Sequence, residues 1–144
     1  MPDDSSIEDL RRRLRRDPAS IAFAQLAEEL RRAGQFRDAA SVCQRGLAIY
    51  PEYLSARVTL GRALLELARF DEAQRELETV LETAPEHLAA TRALADVLSR
   101  RTSKAKVDAL TTADGRGRRG TVRILAALEA WLVAIHVTRA RQSA

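Results

Sequence analysis

The chain contains no asparagine, lysine only at Lys104 and Lys106, and a single cysteine, Cys43, among its 144 residues. One cysteine excludes an internal disulfide and offers no thiolate cluster to a metal, so folding needs no oxidising compartment. Only six glycines and four prolines interrupt a composition that is 46% hydrophobic and 31% charged, which excludes wholesale disorder and marks a helix-rich chain. The near-exclusive use of arginine reflects genome composition, not a site. A secretory leader is not in view either: the first residues, Met1 to Ser6, are acidic and polar, so a cytoplasmic location is expected. By length, one domain is expected.

Catalytic constellations are missing too. His87 and His136 have no neighbouring partner in sequence, and Gly115, Gly117 and Gly120 lack the Gly-Lys-Ser/Thr ending of a phosphate-binding loop. The expectation is a protein that is not an enzyme, with no cofactor and no metal site. The net charge of +4 is unevenly placed: residues 101–144 carry nine basic groups against three acidic ones, whereas residues 51–100 carry six against nine. The high isoelectric point is therefore not a nucleic-acid signature of the whole chain.

What is present is a repeat. A shift of 34 positions places Leu26 on Leu60 and Leu94, Ala27 on Gly61 and Ala95, and Leu30 on Leu64 and Leu98. Phe36 then falls on Phe70, Ala39 on Ala73, Leu47 on Leu81 and Pro51 on Pro85. A fixed period of this size marks stacked units. Inside each unit the apolar spacing is helical. Gly34 closes one first helix through a left-handed residue, and Ala68 takes its place in the next. Phe36 and Phe70 open second helices over residues 37–50 and 71–84. Pro51 and Pro85 are expected to stop those helices and start the following ones, with Glu52 and Glu86 in the first turns. Small residues at Ala27, Gly61, Ala39 and Ala73 let the two helices of a unit approach closely. Cys43 holds the seat that Leu77 takes one repeat later, which makes it a core residue.

These residues resemble the tetratricopeptide repeat family, in a bacterial-type chain, over residues 18–100. The usual tryptophan early in the first helix is replaced by Phe23, Arg57 and Thr91, and the usual tyrosine by Leu30, Leu64 and Leu98. The resemblance implies an all-α fold, a right-handed α-solenoid of antiparallel helix pairs. Its parts are an N-terminal capping helix (1–17), two complete repeats (18–51 and 52–85) and the first helix of a degenerate third (86–100). A basic Gly-rich linker (101–120) and an additional apolar C-terminal helix (121–144, capped by Thr121) follow. A short helix over 105–110 is expected to survive inside the linker.

The resemblance further implies a partner-binding concave groove lined by the first helices. Carried over position by position, its lining includes Ala24, Glu28, Arg31 and Arg32 in the first unit, Val58, Arg62, Leu65 and Glu66 in the second, and Arg92 and Asp96 in the third. Family members that grip a terminal carboxylate do so with lysine and asparagine; those positions hold Ala24 and Glu28 here, which argues against a chaperone-tail receptor. The implied function is a non-catalytic adaptor for a protein partner. Two alternatives stand beside it. The C-terminal helix, apolar nearly all round with Ile124, Leu128, Trp131, Leu132 and Ile135, is expected to be buried on more than one side, by the array itself, a second copy or a partner helix. Self-association by exchange of this helix between copies, as a self-assembling structural protein, is the first alternative; the helix is too short and too often interrupted to span a membrane. The run from Gly115 to Gly120 is a candidate nucleic-acid or acidic-surface contact, though no aromatic residue is interleaved for base stacking.

Overall fold

The computed structural model describes residues 4–112 and 119–142, without the side chains of 119–126, 137, 138, 140 and 142. Among these residues every regular element is a helix: α1 (Asp4–Arg16), α2 (Ala22–Arg32), α3 (Phe36–Ile49), α4 (Leu54–Glu66), α5 (Phe70–Thr83), α6 (Leu88–Thr112) and α7 (Arg119–Gln142). The chain divides into two compact units, Met1–Arg100 and Arg101–Ala144, where its length alone suggests one.

In the first unit α2 packs on α3, α3 on α4 and α4 on α5, while α1 lies on α2 and α2 on α4. This is a stack of helical hairpins. The turns inside the hairpins follow from two left-handed residues, Gly34 (φ 78°) and Ala68 (φ 58°). Each completes a Schellman closure: Gln35 and Gly34 donate to the carbonyls of Leu30 and Arg31, and Arg69 and Ala68 to those of Leu64 and Leu65. Phe36 and Phe70 are the first residues of α3 and α5.

Close approach sets the interior. A Cβ on Gly61 would lie 2.7 Å from Leu77 Cγ, so α4 and α5 meet where a side chain is missing. Gly46 does the same for α3, where an added Cβ would sit 2.0 Å from the Phe23 ring. That ring stacks on Tyr50, with centroids 6.2 Å apart, and tilts against Tyr53 at 5.6 Å. Tyr50 in turn donates its hydroxyl to the Ala19 carbonyl at 2.6 Å, tying the end of α3 to the entry of α2. Cys43 and Leu77 are both fully buried, the equivalence their spacing predicts.

Several expectations need correction. Pro51 and Pro85 end the preceding helices but do not begin the next: α4 starts at Leu54 and α6 at Leu88, and Pro51-Glu52 and Pro85-Glu86 form the intervening turns. The first turn of α6 is held by His87, whose Nδ1 accepts the Ala90 amide at 3.3 Å. Residues 101–112, the first part of the expected linker, continue α6. Thr102 and Lys104 explain this, because they occupy the seats of Gly34 or Ala68 and of Phe36 or Phe70. A β-branched residue resists positive φ, and without an aromatic to pin a new helix the old one runs on.

The face that α6 buries is Ala90, Ala93 and Val97, in register with the buried Ala56, Thr59 and Ala63 of α4. Leu94, Ala95 and Leu98 correspond to the α4 residues that meet α5. Here Leu94 is half-buried, Ala95 is exposed and Leu98 is 44% exposed.

The second unit holds residues 101–112 of α6 and α7. Thr121 is interior to α7, which begins at Arg119, so it is not a cap. The run 115–118 lies outside the described residues.

Candidate functional site

The first helices of the stack carry the residues assigned to the groove, and their chemistry starts from one carboxylate. Glu28 on α2 accepts two hydrogen bonds from Arg31, Nε to Oε2 at 3.0 Å and a terminal nitrogen to Oε1 at 2.8 Å. Arg32 adds a contact at 3.3 Å, and the Thr59 hydroxyl of α4 donates to Oε2 at 3.2 Å. The Arg31 hydrogen bonds outweigh partial burial and hold the Glu28 carboxyl below its ordinary range, so Glu28 is an anion. Glu28 likewise pushes the Arg31 guanidinium up. Thr59 is thus buried and satisfied, and it links α2 to α4 through a side chain that sequence reading passed over.

Farther along the stack, Arg100 on α6 pairs with Glu66 on α4 at 3.2 Å. Those two residues are 34 apart, so the ion pair joins neighbouring seats of successive units. The seats alternate in sign. Glu28, Arg62 and Asp96 occupy one row, negative, positive, negative; Arg32, Glu66 and Arg100 occupy the next in the opposite phase. Arg62 is half-buried and Arg92 and Asp96 are exposed, and none of the three has an ion pair among the described residues.

Two of the residues assigned to the groove do not line it. Val58 and Leu65 are 6% and 5% exposed and belong to the core. The reason is the central position of α4, which packs against α2, α3 and α5 and so has little free perimeter. Ala24 is half-buried and presents no donor; Glu28, Arg31, Arg32, Arg62, Glu66, Arg92 and Asp96 keep at least part of their side chains in solvent.

In the second unit, Leu128, Leu132 and Ile135 of α7 are exposed, and Trp131 is 60% exposed. The burial expected of this helix is not seen at these four residues. Ile124 is among the residues whose side chains are not described. No described helix is long and apolar enough to cross a membrane. No group of three or more metal-ligating side chains is gathered among the described residues, and Cys43, buried in the core, has its thiol pushed up to about 12 by desolvation.

Stacked helical hairpins that present a row of polar side chains from their first helices define a repeat protein of the interaction-module class. Residues 30–98 match the sequence profile of the tetratricopeptide repeat, and this repeat region belongs to the tetratricopeptide repeat family. Among solved structures, the first such domain of human RPAP3 superposes with a TM-score of 0.67 at 27% identity, covering 72% of this chain and 82% of that one. The first domain of Spaghetti (RPAP3), bound to an HSP90 peptide, gives 0.66 at 26%, covering 69% and 79%. The second domain of human RPAP3, in complex with an HSP70 peptide, gives 0.61 at 25%, covering 63% and 77%. No curated protein matches the sequence.

Proposed function

We propose that the chain is a non-catalytic adaptor that holds a segment of a partner protein along the face presented by α2, α4 and the first turns of α6. The alternation of charge along two adjacent rows carries this reading. A row of one sign would favour any oppositely charged polymer, whereas rows in opposite phase favour a segment carrying both signs in a matching order. The peptide-bound RPAP3 domains support a polypeptide as the ligand.

The peptides in those complexes both end in Glu-Glu-Val-Asp. Such a tail is a poor match here, because the seats that would grip a terminal carboxylate hold Ala24, with no donor, and Glu28, itself an anion bound by Arg31. The partner segment is therefore internal to its protein and of mixed charge. The test compares capture of the partner by the native protein and by R62E/R92E, which spares the Glu28–Arg31 pair. Capture must fall while the circular-dichroism helix signal stays; equal capture rejects the groove. A fluorescein-labelled peptide ending in Glu-Glu-Val-Asp should show no anisotropy change, and saturable binding overturns the argument about Glu28.

The exposed Trp131 and its leucine neighbours favour one further role, self-association through α7. Removing residues 116–144 then lowers the mass read by light scattering, and an unchanged mass rejects it.

A further inference from the structure

The third unit leaves open a face that the first two units cover. On α2 that face is Leu26, Ala27 and Leu30, and on α4 it is Leu60, Gly61 and Leu64; all six are buried, the leucines at 3% exposure or less. Each is closed by the second helix of its own hairpin, α3 or α5. Moving 34 residues along the chain gives Leu94, Ala95 and Leu98 on α6, where Ala95 is exposed and Leu98 is 44% exposed. Leu88, seven residues before Ala95 and so on the same stripe, is 70% exposed. Ala90, Ala93 and Val97 of the same helix are buried, so α6 is seated in the stack with the side meant for a second helix exposed.

The chain carries a helix with the spacing that such a face receives. The residues of α5 packed into the second hairpin are Ala73, Leu77, Val80 and Leu81, and those of α3 in the first are Ala39, Cys43, Gly46 and Leu47. α7 repeats the interval with Ala127, Trp131, Ala134 and Ile135. Every residue from Ala127 to His136 is exposed, and eight of those ten are apolar. A helix this apolar is stable in water only when it is covered. Charge then selects among the surfaces that could cover it. α7 has four arginines against one glutamate, so a second α7 would set like charge against like. Residues 51–100, which form the hairpin next to the open face and the start of α6, carry six basic groups against nine acidic ones and attract it.

We propose that α7 of one copy of this chain docks on the Leu94, Ala95 and Leu98 face of a second copy, where it serves as the second helix of the third repeat. This contact rests on self-association through α7, the reading given for Trp131 and its leucine neighbours, and assigns the receiving surface. A second copy is the occupant because, in the single chain, the face and the helix that matches it are both exposed. Ala95 takes the place of Gly61, which lies against Leu77, and Trp131 takes the place of Leu77. Both are larger than their counterparts, so the two helices stand farther apart than α4 and α5. Given in both directions, the exchange closes a symmetric pair.

Light scattering and the emission of Trp131, the single tryptophan, test this on full-length chains. A95E/L98E alters the receiving face and W131E/I135E alters the helix, all four at exposed positions, and circular dichroism checks that each variant folds. The native protein should scatter with twice the mass of one chain, and its Trp131 emission should lie to the blue of that from A95E/L98E. Each variant alone should lose about tenfold or more in self-association, because every contact then buries carboxylates that have no partner. Mixed in equal amounts, the two variants should associate again, since an intact helix on one meets an intact face on the other. In that mixture the emission comes only from A95E/L98E, and it should move to the blue. A native protein that scatters as a monomer overturns both the proposal and the self-association on which it rests. A mass that falls with W131E/I135E but not with A95E/L98E overturns the proposal alone, by placing α7 against another surface. Failure of the two folded variants to associate on mixing also overturns it.

Discussion

Replacing Gly46 with alanine sets two physical effects against each other. Within a helix this exchange ordinarily stabilises by about 0.5–1 kcal/mol, because glycine gives up more backbone freedom on folding. Here the added Cβ would stand 2.0 Å from Phe23 Cδ2 and 2.3 Å from Cγ and Cε2, against an ordinary carbon contact of about 3.5–4.0 Å. The ring must retreat by about 1.5 Å to restore that separation. It is 3% exposed and held by Tyr50 on one side and Tyr53 on another, so retreat disturbs aromatic contacts that are each worth about 0.5–1.5 kcal/mol. Overpacking of this kind costs about 1–3 kcal/mol, and with the lost ring contacts it exceeds the propensity gain. The expected net effect is a loss of about 2 kcal/mol, which lowers a urea midpoint by roughly 1–2 M at the slope typical of a small domain. Far-UV circular dichroism reads it directly. G46A with F23L should recover part of the loss, since the smaller side chain vacates the space, and the double-mutant cycle reports the coupling. A midpoint that rises on G46A alone would refute the reasoning, by showing that Phe23 moves aside freely.

Three other outcomes follow from single sites. Ala68→Gly should stabilise by about 1 kcal/mol, because Ala68 holds φ 58° and glycine takes that conformation without strain; a lower urea midpoint would contradict it. The Cys43 thiol, pushed up to about 12 and buried, should resist Ellman's reagent at pH 8 in the folded protein and react fully in denaturant. Rapid labelling of native protein would show the first unit opening readily. Glu28 has a folded pKa below its ordinary 4.5, so its contribution is complete at neutral pH and is lost as pH falls through the folded value. Acid unfolding of E28Q should therefore show a weaker pH dependence below about pH 4.5 than the native chain, and identical profiles would remove Glu28 from the account.

What could be read from the sequence was what depends on near neighbours. The hairpin turns at Gly34 and Ala68 were visible because a left-handed closure and an aromatic two residues later recur at one spacing. The run of α6 through Thr102 was also written there, in the absence of both signals, but the glycines and clustered arginines of residues 101–120 point to a linker. The groove was less legible. A position on the first helix faces the partner surface only if no later unit covers it, and Val58 and Leu65 sit on a helix that packs against α2, α3 and α5. Gly46 was a missed clue: a glycine inside a helix is unfavourable unless something approaches closely, and that something, Phe23, comes from the preceding helix.

The loss of Val58 and Leu65 from the groove changes what that surface can do energetically. What remains exposed is almost entirely charged, and exposed ion pairs contribute about 0.2–1 kcal/mol each. Tight binding usually rests on a few buried apolar or aromatic anchors, and the groove now has none among the residues assigned to it. Its charges are suited to choosing a partner and steering its approach. At 0.15 M ionic strength the screening length is about 8 Å, and near 1 M about 3 Å, so affinity that depends on the rows led by Glu28 and Arg32 should fall steeply over that range. Binding curves for the groove partner measured across that salt series check this. An affinity that holds constant from about 0.15 M to about 1 M would mean that the charged rows do not carry the contact.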